Sequence, residues 1–336
     1  MNQRVVNNLN EGLHQLFASD PDVCLIGEDI DDPYGGAFKV TRGLATNYPD
    51  RIFPSPISEQ SIVGIANGMA LAGDKPIVEI MFGDFIMLGA DQLLNHLVKY
   101  EWMYNGKVSA PVTIRATMGG GRGYGPTHSQ SLEPILASIP GLKIFSPTYF
   151  HDPGNLLKKV VIEEKGIKLF CENKLNYPKK IIKNNDIQEG LSLKLSKKFP
   201  ETVYLSNSDF EEADVLIISH GGNAILIEEL MMDLLVNHEL PVQANFLSLI
   251  KPIMPTELLK GIEKCKLVIV LEESIKNFGW GSEILAYLSE NGFAQNKQII
   301  RVGAQEGPIP SSTLLEKKFL PSKDDVLNAI KSTGII

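Results

Sequence analysis

Hydrophobic and polar positions follow two rhythms over the first 173 residues of the chain. Short, solidly apolar runs alternate with longer amphipathic ones. Solid apolar runs are typical of strands that are buried on both faces, and amphipathic runs are typical of helices that cover a sheet. The predicted elements are, in chain order, helix VNNLNEGLHQLF, strand VCLIG, helix SIVGIANGMALAG, strand PIVEIMF, a long helix DFIMLGADQLLNHLVKYEWMY, strand PVTIRAT, strand GLKIFSP, helix GNLLKKVVIEE and strand IKLFCEN.

The pattern weakens between residues 174 and 212, where the chain is polar and rich in lysine. We interpret this stretch as a connection that could contain a hairpin. The alternation then returns, with strand DVLIIS, helix NAILIEELMMDLLVNH, strand PVQANFLSLI, strand CKLVIVLEES, helix GWGSEILAYLSENG, strand KQIIRVG and a closing helix SKDDVLNAIKSTG that Ser322 or Lys323 would start.

Strands that alternate with helices predict a mostly parallel sheet that is covered on both faces. We therefore predict the α/β class, with two doubly wound, mostly parallel-sheet domains, of which the second is smaller. The predicted ranges are 1–180 for the first domain, 181–211 for a linker and 212–336 for the second domain. The length of 336 residues agrees with about two domains.

Charge and cysteine content narrow the class of protein. The chain has 32 basic and 40 acidic residues, a net charge of −8, and no dense basic stripe, which disfavours a nucleic-acid binder. Its three cysteines lie far apart and form neither a CxxC motif nor an even disulfide framework. Cys24 and Cys171 lie inside apolar runs, so we expect these two thiols to be buried, and we expect a cytoplasmic location. We also expect neither a transmembrane helix nor a signal peptide, because no apolar run is long enough and MNQRVVNNLNEGL has no apolar core.

Chemistry-bearing residues gather where strands end and helices begin. Ligands of open α/β sheets bind beyond the carboxyl ends of the strands. Four stretches of the first predicted domain fall there, and this coincidence says more than any single motif. They are Gly27-Glu28-Asp29 after VCLI, Glu59 at a helix start, Phe82-Gly83-Asp84-Phe85 after PIVEIM, and MGGGRGYGPTHSQS after PVTIRAT.

The stretch MGGGRGYGPTHSQS is a candidate phosphate-binding loop by composition, but its spacing is wrong. It does not spell G-x-G-x-x-G, and no Gly-Lys-Ser/Thr follows, so it is not a P-loop. We interpret it as a mobile active-site loop, because glycines supply positive φ angles and backbone freedom. His128 lies at its end. Histidine titrates near neutrality, so His128 is a candidate catalyst, with a surface or hydrogen-bonding role as the plainer alternative.

Glu59 has a structural explanation that competes with a catalytic one. Ser58 can cap the helix that follows, and a carboxylate in the first turn stabilises the helix dipole by roughly 0.3–1 kcal/mol. The third helical position would be Ser61, so no capping box is expected. From the local pattern alone, the capping explanation is favoured about two to one.

The chain resembles a known family through a series of words in the family's order. They are GEDI, GGAFKVTRGL, RIFPSPISEQSIVGIANGMALAG, PIVEIMFGDFI, DQLLNHLVK, HSQSLE, IPGLKIFSP, EESIKNFGWGSEI and, near the C-terminus, PIP with LEKKFLPS. Together they cover nearly the whole chain. The chain is similar to the beta subunit of thiamine diphosphate-dependent 2-oxo acid dehydrogenases, of the pyruvate and branched-chain type. The resemblance implies a transketolase-like pyrimidine-binding domain followed by a transketolase-like C-terminal domain.

The resemblance assigns roles to five residues. In that family, the glutamate of the ISE word, here Glu59, hydrogen-bonds N1′ of the cofactor's aminopyrimidine. Protonation at N1′ favours the 4′-imino tautomer, whose nitrogen removes the proton from C2 of the thiazolium ring. Phe85 would pack on the aminopyrimidine ring. Glu28 would point into the site, and Ile57 would offer a backbone contact. His128 would assist the substrate-derived intermediate and lipoyl acylation, as a proton donor or electrostatically.

The chain lacks the family's residues for the diphosphate half of the cofactor, and this implies partner subunits. The family holds the diphosphate and its divalent metal with a Gly-Asp-Gly word followed by an asparagine, whereas this chain reads Gly83-Asp84-Phe85. An alpha subunit would then hold the diphosphate and Mg²⁺, in a heterotetramer of two alpha and two beta chains, and this chain would have no metal site. A lipoyl-bearing acyltransferase would dock on the C-terminal domain. The family's K⁺ site, built from backbone carbonyls, would fall on the loop VVIEEKGIK.

Two departures from the family pattern favour a specialised member. The family's Asp-Leu-Arg-Thr-Leu-x-Pro-Leu-Asp word reads FLSLIKPIM here, with Phe246, Ser248 and Met254 at the charged positions. The loop before His128 is glycine-rich and shorter than usual.

Three functions stay open at the level of the sequence. The leading one is oxidative decarboxylation of a pyruvate-like 2-oxo acid with acyl transfer to a lipoyl group. The second is a split transketolase-like or carboligase subunit in a biosynthetic pathway, with no lipoyl partner. The third is a non-catalytic, degenerate subunit, which the joint presence of Glu28, Glu59, Phe85 and His128 disfavours.

Overall fold

The computed structural model describes residues 3–183 and 186–336. The chain divides into two compact units. The first unit contains the chain up to Met118 together with Ile135–Phe145 and Asp152–Ile181, and the second contains Gly119–Pro134, Ser146–His151 and the chain from Ile182 onwards. The sequence-based domain ranges stay a prediction, and Asn184 and Asn185 of the predicted linker lie outside the described residues.

The N-terminal half follows the predicted alternation. Its helices and strands are α1 (Val5–Ser19), β1 (Val23–Gly27), α2 (Leu44–Asn47), β2 (Ile52–Pro54), α3 (Glu59–Ala72), β3 (Lys75–Ile80), α4 (Tyr100–Met103), β4 (Thr113–Met118), α5 (Glu133–Ala137), β5 (Lys143–Phe145), α6 (Pro153–Glu163) and β6 (Lys168–Asn173).

The sheet of the first unit is parallel and has the strand order β5-β6-β4-β3-β1-β2. β1, β4 and β6 are buried along their whole length, which explains their solid apolar character. β1 lies between β2 and β3, so the residues that follow these three strands meet at one edge of the sheet. The predicted α/β class with mostly parallel sheets is confirmed.

One prediction for this half is wrong in detail. The stretch predicted as a single long helix between residues 84 and 104 is divided into four short pieces. They are a 3₁₀ helix Gly83–Gly89, a π-helical turn Gln92–His96, a 3₁₀ turn Leu97–Lys99 and α4. Tertiary packing explains part of the break, since a Cβ atom added at Gly89 would lie 3.1 Å from the Val63 side chain of α3. Local π turns are frequent at functional sites.

The C-terminal half contains β7 (Ser192–Leu195), β8 (Thr202–Ser206), β9 (Val215–Ser219), α7 (Asn223–His238), β10 (Val242–Leu247), β11 (Leu249–Lys251), α8 (Pro255–Leu258), β12 (Leu267–Ile275), α9 (Trp280–Glu290), β13 (Gln298–Ala304), α10 (Thr313–Phe319) and α11 (Lys323–Lys331). Its sheet has the order β13-β12-β9-β10-β8-β7. The first four of these strands are parallel, and β8 and β7 are antiparallel additions.

Three sequence-based expectations for this half have clear outcomes. The polar connection does contain a hairpin, since β7 and β8 lie inside it. The closing helix begins after Ser322, whose side chain forms a capping box with Asp325. Helix α10 was missed. The residues Phe246 and Ser248, which replace charged family positions, are fully buried within the second unit.

All three cysteines are free and buried, which confirms the expected burial of Cys24 and Cys171. Burial raises the pKa of the Cys24 thiol to about 12, which keeps it protonated. Among the described residues, no helix is both long enough and apolar enough to cross a membrane.

Candidate active site

Three of the candidate residues meet at one edge of the first sheet. Glu28 follows β1 directly, Glu59 begins α3 shortly after β2, and Phe85 lies in the 3₁₀ helix that follows β3. Because β1 is paired with both β2 and β3, the carboxyl ends of these strands are neighbours. Ligands of parallel sheets bind at such edges. The sequence-based expectation that these stretches gather is therefore borne out for these three residues.

Glu59 lies at the first position of α3 and is only 7% exposed. Ser58 caps the helix, and its Oγ accepts a hydrogen bond from the Ser61 amide at 3.4 Å. Within residues 3–183 and 186–336, no group donates a hydrogen bond to the Glu59 carboxylate. Neither oxygen is among the fully buried, unsatisfied side-chain atoms of the described residues, so the carboxylate keeps a small solvent-accessible edge. The carboxylate is thus available as an acceptor for a ligand donor.

Glu28 adds a second carboxyl group to the same edge. It is half-buried, and partial burial raises its pKa, with further upward contributions from the charges of Asp29 and Glu59. A raised pKa means that Glu28 takes up a proton more readily than an exposed glutamate.

Phe85 belongs to a series of aromatic rings in the first unit. Its ring lies edge-on to that of Phe82, with centroids 6.0 Å apart. Phe82 in turn contacts Phe38 at 5.9 Å, and Phe38 contacts Tyr177 at 5.0 Å. These contacts fix the ring of Phe82 between two neighbours, so the edge carries rigid aromatic surface next to its carboxylates. The side chain of Ile57 is 78% exposed.

His128 lies in the second unit, at the end of the glycine loop, which we define as Gly119–Gly125. Its Nδ1 atom is 2.9 Å from the Thr127 hydroxyl, and its amide donates to the Gly125 carbonyl at 3.3 Å. Four glycines of the loop have positive φ, as the sequence suggested. The loop amides, however, are hydrogen-bonded to carboxylates of the second unit. The glycines therefore provide backbone amides for a close contact with these carboxylates, in addition to backbone freedom.

Comparison with known proteins gives this arrangement a family. The family described as "Transketolase, pyrimidine binding domain" matches residues 3–180, more than half of the chain, and the one described as "Transketolase, C-terminal domain" matches residues 207–326. The chain belongs to this transketolase-like family. Its relatives include the pyruvate dehydrogenase E1 component subunit beta of Cyanidium caldarium, at 31% identity over 96% of this chain and 95% of the relative.

Other beta subunits act on a different substrate by name. The acetoin:2,6-dichlorophenolindophenol oxidoreductase subunit beta of Bacillus subtilis is 30% identical over 95% of this chain and 94% of the relative. A solved chain, described as a split gene transketolase in an inactive beta4 tetramer, has the same fold, with a TM-score of 0.73 at 20% identity and coverage of 99% of this chain and 98% of that chain.

A buried ionic network in the first unit was not predicted from the sequence. Arg115 donates to Glu172 through Nε at 2.7 Å and through a terminal nitrogen at 2.9 Å, and to Glu79 at 2.7 Å. The Tyr177 hydroxyl donates to Glu172 at 2.8 Å. Burial, with the Glu172 charge, raises the pKa of Glu79 despite Arg115. One signal could have revealed the network: the adjacent strands PIVEIMF, PVTIRAT and IKLFCEN carry Glu79, Arg115 and Glu172 inside apolar runs.

The network joins the aromatic series at Tyr177, whose ring contacts Phe38. A continuous series of contacts therefore links Phe85 of the candidate site to the buried ion pairs of the first sheet. As for metals, the described residues contain no group of three or more histidine, cysteine, aspartate or glutamate side chains that could hold an ion.

Proposed function

We propose that this chain is the beta subunit of a heteromeric enzyme that decarboxylates a pyruvate-like 2-oxo acid oxidatively with thiamine diphosphate. One observation carries the proposal: Glu59 is a buried carboxylate with an open acceptor, beside aromatic surface, in a domain of the pyrimidine-binding family. A largely buried acid that keeps an open acceptor at a sheet edge favours a ligand that supplies a donor.

Each candidate residue then has a defined role. Glu59 would accept the hydrogen bond from N1′ of the aminopyrimidine, and Phe85 would pack against the ring. Glu28 would hold a proton next to Glu59, as its raised pKa favours. Ile57 would offer its backbone. His128 would donate a proton or a hydrogen bond to the reacting substrate. The thiazolium carbon of the cofactor supplies the nucleophile, which no side chain here could replace.

The diphosphate and Mg²⁺ are assigned to an alpha subunit in the same proposal. This chain has Gly83-Asp84-Phe85 where a metal-binding word would need a second glycine, and no metal-binding cluster is found in the described residues. The relatives are themselves named as beta subunits. A two-alpha, two-beta heterotetramer would complete the site.

An exposed apolar surface supports such a partner. Large hydrophobic side chains on and around α3 and α4 stand in solvent: Ile57, Ile65, Leu88, Trp102 and Met103 are exposed by 78, 52, 60, 86 and 59%. Large exposed apolar patches mark interaction sites. We propose that this surface, together with the Glu59 edge, faces the alpha subunit.

This interface has a direct test. The variant Trp102→Asp should prevent formation of the alpha–beta complex in analytical ultracentrifugation. Phe278→Asp is the matched control, because Phe278 is 97% exposed but lies in the second unit. Complex formation by Trp102→Asp at wild-type affinity would remove this surface from the proposal.

The substrate is tested by reconstitution. The chain is combined with an alpha-type partner, thiamine diphosphate, Mg²⁺ and ferricyanide, and then supplied with pyruvate, acetoin or a ketose–aldose pair. We expect ferricyanide reduction that depends on a 2-oxo acid and, with a lipoyl acyltransferase added, acylation of its lipoyl group. Reduction with acetoin only would favour the activity named for the Bacillus subtilis relative. Ketol transfer that requires an aldose would favour a split transketolase or carboligase, and no turnover would favour a non-catalytic subunit.

The loop VVIEEKGIK, where a K⁺ site would fall, ends in a buried lysine. Lys168 is fully buried, and its ammonium donates to the Glu164 carbonyl at 3.1 Å. We extend the proposal to this loop: the Lys168 side chain donates a hydrogen bond to the backbone carbonyl that K⁺ would otherwise contact, so no K⁺ is needed there. Replacing K⁺ with Na⁺ should leave the melting temperature of the complex unchanged, whereas Lys168→Met should make it K⁺-dependent. A K⁺ requirement in the wild-type complex would contradict this assignment.

We extend the proposal to the cellular location. Three free, buried cysteines fit a reducing compartment, which supports the expected cytoplasmic location.

A further inference from the structure

The glycine loop binds two carboxylates of its own chain. The Gly120 amide donates to Glu273 at 2.5 Å, and the amides of Gly121 and Gly123 donate to the two oxygens of Glu316 at 2.8 and 2.7 Å. Backbone amides that converge in this way form an anion-binding concavity. Loops of this kind usually receive a phosphate or a substrate anion, whereas this loop receives side chains from the second unit.

Glu316 is the more deeply held of the two acids. It lies on α10, it is 1% exposed, and the two loop amides each bind one of its oxygens. Among the described residues, Glu316 forms no ion pair with a lysine, arginine or histidine. A buried carboxylate must find compensating donors, and here the loop amides are those donors. The loop and α10 therefore depend on each other.

Steric fit explains why the loop is made of glycine. A Cβ atom at Gly120 would lie 2.7 Å from Leu320, and one at Gly125 would lie 2.5 Å from the Ser311 hydroxyl. Gly121 and Gly123 also have φ angles of 83° and 70°, which side chains disfavour. The segment around α10 thus accepts only a glycine backbone at this contact.

The contact extends along the chain to His128. The Gly119 amide donates to the Gln130 carbonyl at 3.2 Å, which closes the loop at its base, and the His128 amide donates to the Gly125 carbonyl. His128 thus lies on the returning arm of a loop whose outgoing arm is held by Glu316. Displacing Gly121 and Gly123 would displace the histidine.

We propose that Glu316 is a positioning residue for His128, which makes helix α10 a structural part of the catalytic apparatus. The histidine's catalytic role rests on the proposed function, but the hold of Glu316 on the loop does not. Glutamine at position 316 keeps the size of the side chain, while it replaces one acceptor oxygen by an NH₂ group that faces an amide donor.

The test compares Glu316→Gln with wild type in the assembled alpha–beta complex. Amide hydrogen exchange of the loop peptides should rise on the order of 10- to 100-fold, as expected for loss of hydrogen bonds to a charged group. The kcat for the 2-oxo acid should fall by about tenfold or more, with a KM within about threefold of wild type. In a His128→Gln background, Glu316→Gln should cause no further loss of kcat, because both changes act through the same histidine.

Two further variants keep the test decisive. Glu257→Gln is the matched control: Glu257 is a buried carboxylate of the same unit that binds the Tyr204 hydroxyl and not the loop, so loop exchange should stay at the wild-type rate. If Glu316→Gln fails to assemble, Gly123→Ala is used instead. Its Cβ atom would lie 3.1 Å from Thr313, so it should disturb the same contact through the loop.

Loop exchange at the wild-type rate in Glu316→Gln, or in Gly123→Ala where Glu316→Gln does not assemble, would overturn the hold of Glu316 on the loop. Additive losses of kcat in the double variant would overturn its action through His128. If the complex turns over no substrate, the proposed function fails, and the exchange measurement still decides the hold on the loop.

Discussion

The sheet edge around Glu59 and the loop contact around Glu316 present the same chemical group in opposite states. Both glutamates are buried, with exposures of 7% and 1%. Both begin or occupy a helix next to a loop. The Glu316 carboxylate accepts hydrogen bonds from two backbone amides. No described group donates a hydrogen bond to the Glu59 carboxylate. Burial alone therefore does not separate these two acids, whereas the number of hydrogen bonds that each carboxylate accepts does.

The difference has an energetic meaning. A satisfied carboxylate contributes to stability, since removing it leaves donors unpaired. An acid with an open acceptor has no such bonds to lose, and it gains one when a ligand donor binds. Glu59 and Glu316 should thus respond to the same substitution in opposite ways.

The largest effect is expected for Glu59→Gln. We expect it to lower kcat of the reconstituted complex by about 10³-fold or more, because an amide cannot hold a proton on N1′ as a carboxylate does. The melting temperature of the free chain should stay level or rise, since an unpartnered buried charge is lost. Steady-state kinetics and a thermal melt test both parts.

Glu316→Gln is the counterpart in this pair, with a lower melting temperature and a faster-exchanging loop. A drop in stability for Glu59→Gln equal to that of Glu316→Gln would erase the distinction between the two acids. Wild-type turnover in Glu59→Gln would remove Glu59 from the mechanism.

A large effect on stability is expected at Arg115. Arg115→Met would leave Glu79 and Glu172 without their cation, and Glu172 would keep only the hydrogen bond from the Tyr177 hydroxyl. The loss should be about 3–5 kcal/mol in the free energy of unfolding, measured by denaturant titration. Arg42→Met, at an exposed arginine, should change it by no more than about 0.5 kcal/mol.

Adding Glu172→Gln to Arg115→Met sharpens this test. The second substitution should restore part of the lost stability, because it removes one of the stranded charges. If the double variant is less stable than the single one, the charge imbalance is not the cause.

Much of this contrast was accessible from the sequence, because it depends on local rules. Solid apolar runs marked the buried strands, and the carboxyl-edge rule brought Glu28, Glu59 and Phe85 together. Ser58 was recognised as a cap from the residue types alone. These features follow from periodicity and chain order, which a sequence states directly.

The rest depends on contacts between distant parts of the chain. The loop amides and Glu316 are separated by almost 200 positions, and no periodic pattern links them. The glycines suggested mobility because their partner, α10, was itself missed. The predicted long helix broke because Gly89 packs tightly against Val63 of α3, a tertiary effect that helical propensity does not contain.

A smaller effect is expected at the aromatic side of the Glu59 edge. Phe85→Leu removes ring stacking but keeps an apolar side chain, so thiamine diphosphate should bind the complex about 2- to 10-fold more weakly. Titration calorimetry of the complex measures this change. Phe53→Leu is the control, since Phe53 is a partly exposed ring of β2. Equal losses in both variants would mean that ring stacking at Phe85 is not specific.

The smallest effect is a pH dependence at Lys168, which extends the comparison to a buried cation. Burial, and then the charge of Lys143, lowers the pKa of Lys168 to about 7. Below about pH 7 the folded and unfolded chains both hold the proton, so the cost of burying the charge is complete. Between about pH 7 and 10 the unfolded chain keeps a proton that the folded chain has released, so wild-type stability rises relative to Lys168→Met.

Denaturation midpoints of the two proteins at about pH 6.5, 8 and 9.5 should show the wild type gaining on the variant at each step. Lys107→Met controls for loss of a lysine at an exposed position. A midpoint difference that stays constant with pH would mean that the Glu164 carbonyl holds the ammonium charged, as fully satisfied as the carboxylate of Glu316.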